Sequence, residues 1–134
     1  MKKINFAVLG CGKIGPRHAE KLQKVEGANL VAVCDIIPER ADELARKYNI
    51  KAYYDIEALA ADQSINFVNV CTPSGLHAEH AIYLLNAGKN VLCEKPMALN
   101  STDALKMVEA AKKNGKLLQI VKQNRYNPPV KLVF

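Results

Sequence analysis

Three glycines in the spacing Gly10-Cys11-Gly12-Lys13-Ile14-Gly15 stand directly after the apolar run 4–9 and directly before a helix-forming stretch. Such a turn bares backbone N–H groups at a helix start, where their partial positive charge attracts phosphate. Gly10 permits the tight turn, Gly12 lets a pyrophosphate approach the backbone, and Gly15 lets the helix pack against its strand. Lys13 and Ile14 lie in the same loop and are grouped with it as cofactor-binding residues. A carboxylate, Asp35, ends the next apolar run, 20 residues after Gly15. There it accepts hydrogen bonds from adenosine ribose hydroxyls and repels a 2′-phosphate. Ile36, Ile37 and Pro38 follow it, so no arginine comes directly after to neutralise that phosphate; Arg40, one helical turn on, is the nearest candidate. The pattern predicts NAD rather than NADP, with Ile36 beside Asp35 in the site. Asp35 could also cap the second helix, a role compatible with cofactor binding.

Two later clusters follow strands of their own. Cys71-Thr72-Pro73-Ser74-Gly75-Leu76-His77 comes after the fourth predicted strand, at the reversal of strand order where ligands bind in such sheets. Cys71, Thr72 and Pro73 are expected on the nicotinamide side. His77 sits where a helix starts, a position that favours a structural role over a general base, and is kept among the cofactor-binding residues. Glu94-Lys95-Pro96 follows the fifth strand. A lysine beside a positively charged nicotinamide ring has its charged form disfavoured, which suits proton transfer near neutral pH. Lys95 is therefore the candidate catalytic group.

These residues need a frame of strands ending in loops. Short apolar runs at 4–9, 30–34, 52–54, 67–71, 90–93 and 117–121 read as strands. Helices are predicted at 14–25, from Pro38 through Tyr48, at 56–61, 77–87 and 101–114, with Gly88 and Gly115 as stops. In the second helix Ala41, Leu44, Ala45 and Tyr48 form one apolar stripe; in the last, Ala104, Leu105, Val108 and Ala111 are assigned to the inner face. Strands alternating with helices predict a Rossmann-type α/β fold: a doubly wound parallel sheet of six strands, ordered 3-2-1-4-5-6, with helices on both faces.

At 134 residues, 49% hydrophobic and 24% charged, the chain has the composition of one globular domain and of neither a disordered tail nor two domains of ordinary size. No apolar run approaches the ~20 residues a membrane helix needs, so no membrane partner is expected. The formal charge of +6 is scattered, without dense basic runs or interleaved aromatics, which argues against nucleic acid and suits an anionic ligand. Cys11, Cys34, Cys71 and Cys93 form no CxxC pair, so no metal is expected and a cytoplasmic setting would keep them as thiols.

Taken together, the glycine fingerprint, Cys34-Asp35, the Thr72-Pro73 to His77 segment and Glu94-Lys95-Pro96 resemble the glucose-fructose oxidoreductase, inositol dehydrogenase and rhizopine catabolism family (Gfo/Idh/MocA) over the whole chain. The resemblance implies a second, C-terminal α/β domain that supplies much of the substrate site and an oligomer interface. It further implies that Glu94 contacts the nicotinamide ribose, that Lys95 transfers a proton and positions substrate, and that the Lys95–Pro96 bond is cis. Partner aspartate and histidine residues would then lie beyond position 134. The stretch Val121-Lys122-Gln123-Asn124-Arg125-Tyr126-Asn127-Pro128-Pro129 is similar to that of family members oxidising UDP-N-acetylglucosaminuronic acid at C3 for O-antigen synthesis. That likeness brings Gln123 and Arg125 to the cofactor, with Arg125 also able to meet an anionic sugar nucleotide or to form a salt bridge into the second domain. Residues 1–122 are accordingly expected to be the dinucleotide-binding domain, and 123–134 the start of the connection onward. The expected activity is hydride transfer between NAD and a sugar or sugar-nucleotide hydroxyl carbon, in a full-length homo-oligomer. Inositol or aldose oxidation, NAD sensing without catalysis, and NAD-dependent glycoside cleavage are the rivals.

Overall fold

Alternation along the strands fixes the architecture. The structure, a computed structural model, describes residues 3–94 and 98–121. Its strands are β1 (Ile4–Leu9), β2 (Ala28–Cys34), β3 (Lys51–Tyr53), β4 (Phe67–Val70), β5 (Asn90–Glu94) and β6 (Leu118–Val121). Helices α1 (Gly15–Lys24), α2 (Pro38–Tyr48), α3 (Ile56–Ala61), α4 (His77–Asn86) and α5 (Ser101–Asn114) connect them. The strands form one parallel sheet in the order β3-β2-β1-β4-β5-β6, as expected for a doubly wound Rossmann fold. The predicted boundaries hold to within two residues, and a 3-10 turn at Ser74–Leu76, which the sequence pattern does not announce, leads into α4.

Successive side chains on a strand point to opposite faces. Ala7, Leu9, Ala32, Cys34, Val68, Val70, Val91 and Cys93 pack on one face against Leu59 of α3, Leu84 and Leu85 of α4 and Met107 of α5. Val8, Leu30 and Val33 pack on the other against Ala19 and Leu22 of α1 and Leu44 and Ala45 of α2. The α2 stripe lies as predicted, with Ala41, Leu44 and Ala45 buried. On α5 the expected inner face needs correction: Leu105 is 58% exposed, whereas Met107, Ala110 and Ala111 are buried. Position 105 follows 104 by about 100° around the helix, so a stripe through 104, 107, 108 and 111 turns it outward.

One polar cluster ties the β3 edge to the loop after α3. Asp62 accepts hydrogen bonds from Tyr53 Oη (2.7 Å) and from both the Oγ (2.6 Å) and N–H (2.9 Å) of Ser64. Its carboxylate also lies 3.7 Å from Lys51 Nζ. The Lys89 ammonium donates to the carbonyls of Asp62 (2.7 Å) and Ile65 (3.0 Å) beneath it. Burial works to raise the Asp62 pKa, but the bonds from Ser64 and Tyr53 and the charge of Lys51 outweigh it and hold the group at about 2, against an ordinary 3.8. The same hydrogen bond, with burial, pushes Tyr53 up to about 12.

Because its folded pKa is depressed, Asp62 contributes stability that is fully present above pH 4 and is lost as the pH falls toward 2. The denaturation midpoint of Asp62→Asn should therefore lie below that of the natural chain at pH 6, and the gap should close between pH 4 and 2. A gap that does not vary across that window would remove the carboxylate charge from the account.

Candidate functional site

All the strands run parallel, so their C-terminal ends share one edge of the sheet, and the loops leaving β1, β2, β3 and β4 meet the end of β5 there around a cavity of about 700 Å³. That volume suits a bound small molecule or cofactor. Of the residues singled out in the sequence, Gly10, Gly12, Lys13, Ile14, Asp35, Ile36, Cys71, Thr72, Pro73, His77 and Glu94 line it. Gly15 lies beneath the loop rather than on the cavity wall. Lys95, Gln123 and Arg125 fall outside the described residues, as does the Lys95–Pro96 bond.

Backbone proximity dictates the glycine loop. Gly10 has φ +99, and a β-carbon there would stand 2.8 Å from the Cys71 carbonyl carbon and oxygen. It therefore serves both a left-handed turn and the close passage of the β4 loop. A β-carbon on Gly15 would lie 1.9 Å from the Gly10 carbonyl oxygen, so only glycine lets α1 begin that close to the turn. Gly12 is open toward the cavity, with the Arg40 guanidinium 3.7 Å from where its β-carbon would be. Ile14 occupies the N-cap position of α1 without a side-chain cap, and the first turn carries no acidic residue. The positive end of the helix therefore meets the cavity uncompensated.

Asp35 is 8% exposed and anchors this loop directly. Its Oδ2 accepts from the Cys11 N–H at 2.7 Å and its Oδ1 from the Ile37 N–H at 2.8 Å. It does not cap α2: Ile37 takes the N-cap position, with no side-chain cap, and Asp35 instead closes the turn before it. Each oxygen retains a lone pair for a further donor. Ile36, beside it, is 83% exposed on the cavity rim, where a flat apolar ring could rest.

Two histidines brace the turn after β4. His77 is buried, and its Nε2 lies 2.7 Å from the Thr72 carbonyl oxygen; His80 Nδ1 lies 3.0 Å from Thr72 Oγ1. Burial lowers the His80 pKa, the largest influence on it. Sequence reasoning misses His80, which joins the site because it follows His77 by three residues on one helix face. It also misses Asp55, Ile56 and Glu57, which close the far wall. Asp55 caps α3 by accepting from the Ala58 N–H at 2.7 Å. Its position before an apolar Ile-x-x-Leu stretch is the available signal.

All four thiols are ordinary rather than reactive. Burial, aided by the charge of Asp35, raises Cys11 to about 12; burial raises Cys34 and Cys93 to about 12 and Cys71 further. None is a thiolate nucleophile at neutral pH. Among the described residues, no group of three or more His, Cys, Asp or Glu side chains is placed to hold a metal ion, and no helix is long and apolar enough to cross a membrane.

An open parallel sheet with a glycine-rich turn, an uncapped helix start and an acidic residue at the end of β2 defines a dinucleotide-binding domain. The chain belongs to the oxidoreductase family with an NAD-binding Rossmann fold, Gfo/Idh/MocA, whose model matches residues 4–122. It is 37% identical over 129 residues to the scyllo-inositol 2-dehydrogenase (NADP(+)) IolU of Bacillus subtilis, covering 96% of this chain and 39% of that protein. It is 40% identical over 128 residues to the inositol 2-dehydrogenase of Salmonella typhimurium, covering 92% of this chain and 38% of the relative. Among solved structures, the WlbA dehydrogenase of Chromobacterium violaceum, in complex with NADH and UDP-GlcNAcA, superposes with a TM-score of 0.90 at 39% identity. That match covers 95% of this chain and 37% of the other. The chain thus spans about two fifths of the length of the relatives it matches.

If Asp35 holds the loop as its geometry indicates, Asp35→Ala strands the buried Cys11 N–H and should cost about 1–3 kcal/mol without any cofactor present. Urea denaturation of the unliganded chain measures it. A loss confined to cofactor binding, with the unfolding midpoint unchanged, would contradict the structural role.

Proposed function

We propose that this chain is the cofactor-binding part of an NAD-dependent dehydrogenase acting on a sugar or sugar-nucleotide hydroxyl. The observation that carries the cofactor choice is Asp35: a buried carboxylate fixed to the glycine loop by Cys11 N–H and facing the cavity where an adenosine ribose belongs. Its fixed negative charge opposes a 2′-phosphate. Arg40 stands over Gly12 and offers partial compensation, which leaves NADP as the weaker ligand rather than an excluded one. The glycine loop and the start of α1 hold the pyrophosphate, Ile36 the adenine side, and Thr72, Pro73 and Glu94 the nicotinamide side.

When bound, the nicotinamide supplies the hydride chemistry. Lys95, which follows Glu94 directly, is proposed to take and return the proton of the reacting hydroxyl. Residues 1–122 form the dinucleotide-binding domain in this reading, and 123–134 lead into a second domain that selects the substrate and joins the oligomer. Gln123 and Arg125 are proposed to reach the cofactor or an anionic sugar nucleotide. UDP-N-acetylglucosaminuronate is the favoured substrate, supported by the 0.90 TM-score to a dehydrogenase bound to UDP-GlcNAcA. Inositol is the second reading, supported by identities of 37–40% to inositol dehydrogenases.

Separate calorimetric titrations with NAD and NADP test the cofactor choice. NAD should bind at least about tenfold more tightly, a difference of ~1.4 kcal/mol, and Asp35→Ser should narrow the gap. Tighter binding of NADP by the natural chain would overturn the role given to Asp35.

A further inference from the structure

Beneath the cavity, on the α1 face of the sheet, three buried polar side chains stand in line. Asn69 interrupts the apolar run of β4 at 2% exposure, His18 lies on the inward stripe of α1 with Gly15, Ala19 and Leu22, and Glu94 ends β5. Asn69 Nδ2 is 3.0 Å from His18 Nδ1, and His18 Nε2 is 3.6 Å from Glu94 Oε1. Glu94 also forms part of the cavity wall, so the row runs from the centre of the sheet to the site.

We propose that Asn69 and His18 are positioning residues that orient the Glu94 carboxylate at the nicotinamide side of the cavity, a role that rests on the NAD reading above. The Asn69 amide donates to Nδ1, which places the ring proton on Nε2, facing Glu94. Turning the amide around would leave both N–H groups of Nδ2 without that acceptor. The present orientation instead leaves Oδ1 as the buried atom without a hydrogen-bond partner among the described residues, and an unmet acceptor is the lesser cost. Burial lowers the His18 pKa, with the Glu94 carboxylate opposing and Lys21 adding to the fall, so the ring is neutral with one proton to give.

That proton has a use. Glu94 is 4% exposed, and a buried carboxylate requires donors aimed at it. His18 Nε2, 3.6 Å from Oε1, turns its N–H toward the carboxylate on a face that is not part of the cavity wall. Fixing one end of a flexible glutamate removes rotamers that binding would otherwise have to freeze. Helix α1 therefore carries two functions three residues apart. Its start meets the phosphates, and its first inward-facing polar side chain sets a residue about the other end of the cofactor.

The test is a double-mutant cycle read by NAD calorimetry on the 134-residue chain, alongside nitrogen NMR of the His18 ring. His18→Ala should weaken NAD about tenfold, by releasing the Glu94 carboxylate to other rotamers that binding must then freeze. In a Glu94→Gln background the same change should cost under about twofold. His18→Gln, whose amide N–H falls near the place of Nε2, should recover most of the affinity. The natural chain should show the Nε2-protonated tautomer, and Asn69→Leu should disturb it. Equal losses in both backgrounds, no loss with His18→Ala, or a proton on Nδ1 would overturn the relay. Failure of the natural chain to bind NAD would instead sink the cofactor reading, and the tautomer signals in the natural and Asn69→Leu chains would still decide the relay. Should His18→Ala fail to fold, His18→Gln carries the cycle; equal affinity loss in both backgrounds would again count against the proposal.

Discussion

The turn from β1 into α1 can form only if backbone passes backbone with no side chain between. The Gly10 carbonyl oxygen stands 1.9 Å from where a β-carbon on Gly15 would project, and the Cys71 backbone 2.8 Å from one on Gly10. These approaches bring the helix start, the β2 carboxylate and the β4 turn into one space. Asp35 then locks the loop through the Cys11 N–H. A bulkier residue at either glycine would move α1 away from the sheet edge, and the wall of the cavity with it.

Around that turn the chain places polar groups where a parallel sheet can tolerate them. Strand interiors are apolar on both faces, and most charge lies in loops and on outer helix faces. The exceptions, Asp35, Asn69, His77, His18 and Glu94, lie at or next to the C-terminal edge, and each has a partner in the structure. Burying them is costly unless they are satisfied. Asp35, His77 and Glu94 line the cavity itself, so the polar part of the core gathers beside it. Asp62 and Lys89, which do not line the cavity, form a polar cluster bonded to Tyr53 of β3 and to loop carbonyls, and it reads as structural.

Features written in local pattern are legible in the amino-acid order alone. Apolar runs of strand length, helical stripes such as Ala41-Leu44-Ala45, and glycine stops need only near neighbours in sequence to be recognised. The glycine loop and Asp35 belong to the same class, because their spacing reflects one turn and one strand–helix–strand unit. Helix α5 shows the limit. Leu105 and Met107 are both apolar and one turn offers room for either, so which faces inward depends on how α5 sits against α4 and the sheet.

The sequence by itself determined the order of elements, the parallel six-stranded sheet and many of the residues that line the cavity at the ends of its first, second, fourth and fifth strands. Each of these follows from short-range periodicity, from steric needs of glycine, or from the handedness that leaves few ways to join parallel strands. Only the tertiary structure decided that Asp35 binds the Cys11 N–H, that His77 and His80 brace Thr72, and that His18 stands between Asn69 and Glu94. Those pairs are 24, 5, 8, 51 and 76 residues apart in the chain. A lone histidine in a helix or asparagine in a strand carries no sign of its partner. The register of helix on sheet supplies it, and that register is set by the summed packing of both faces.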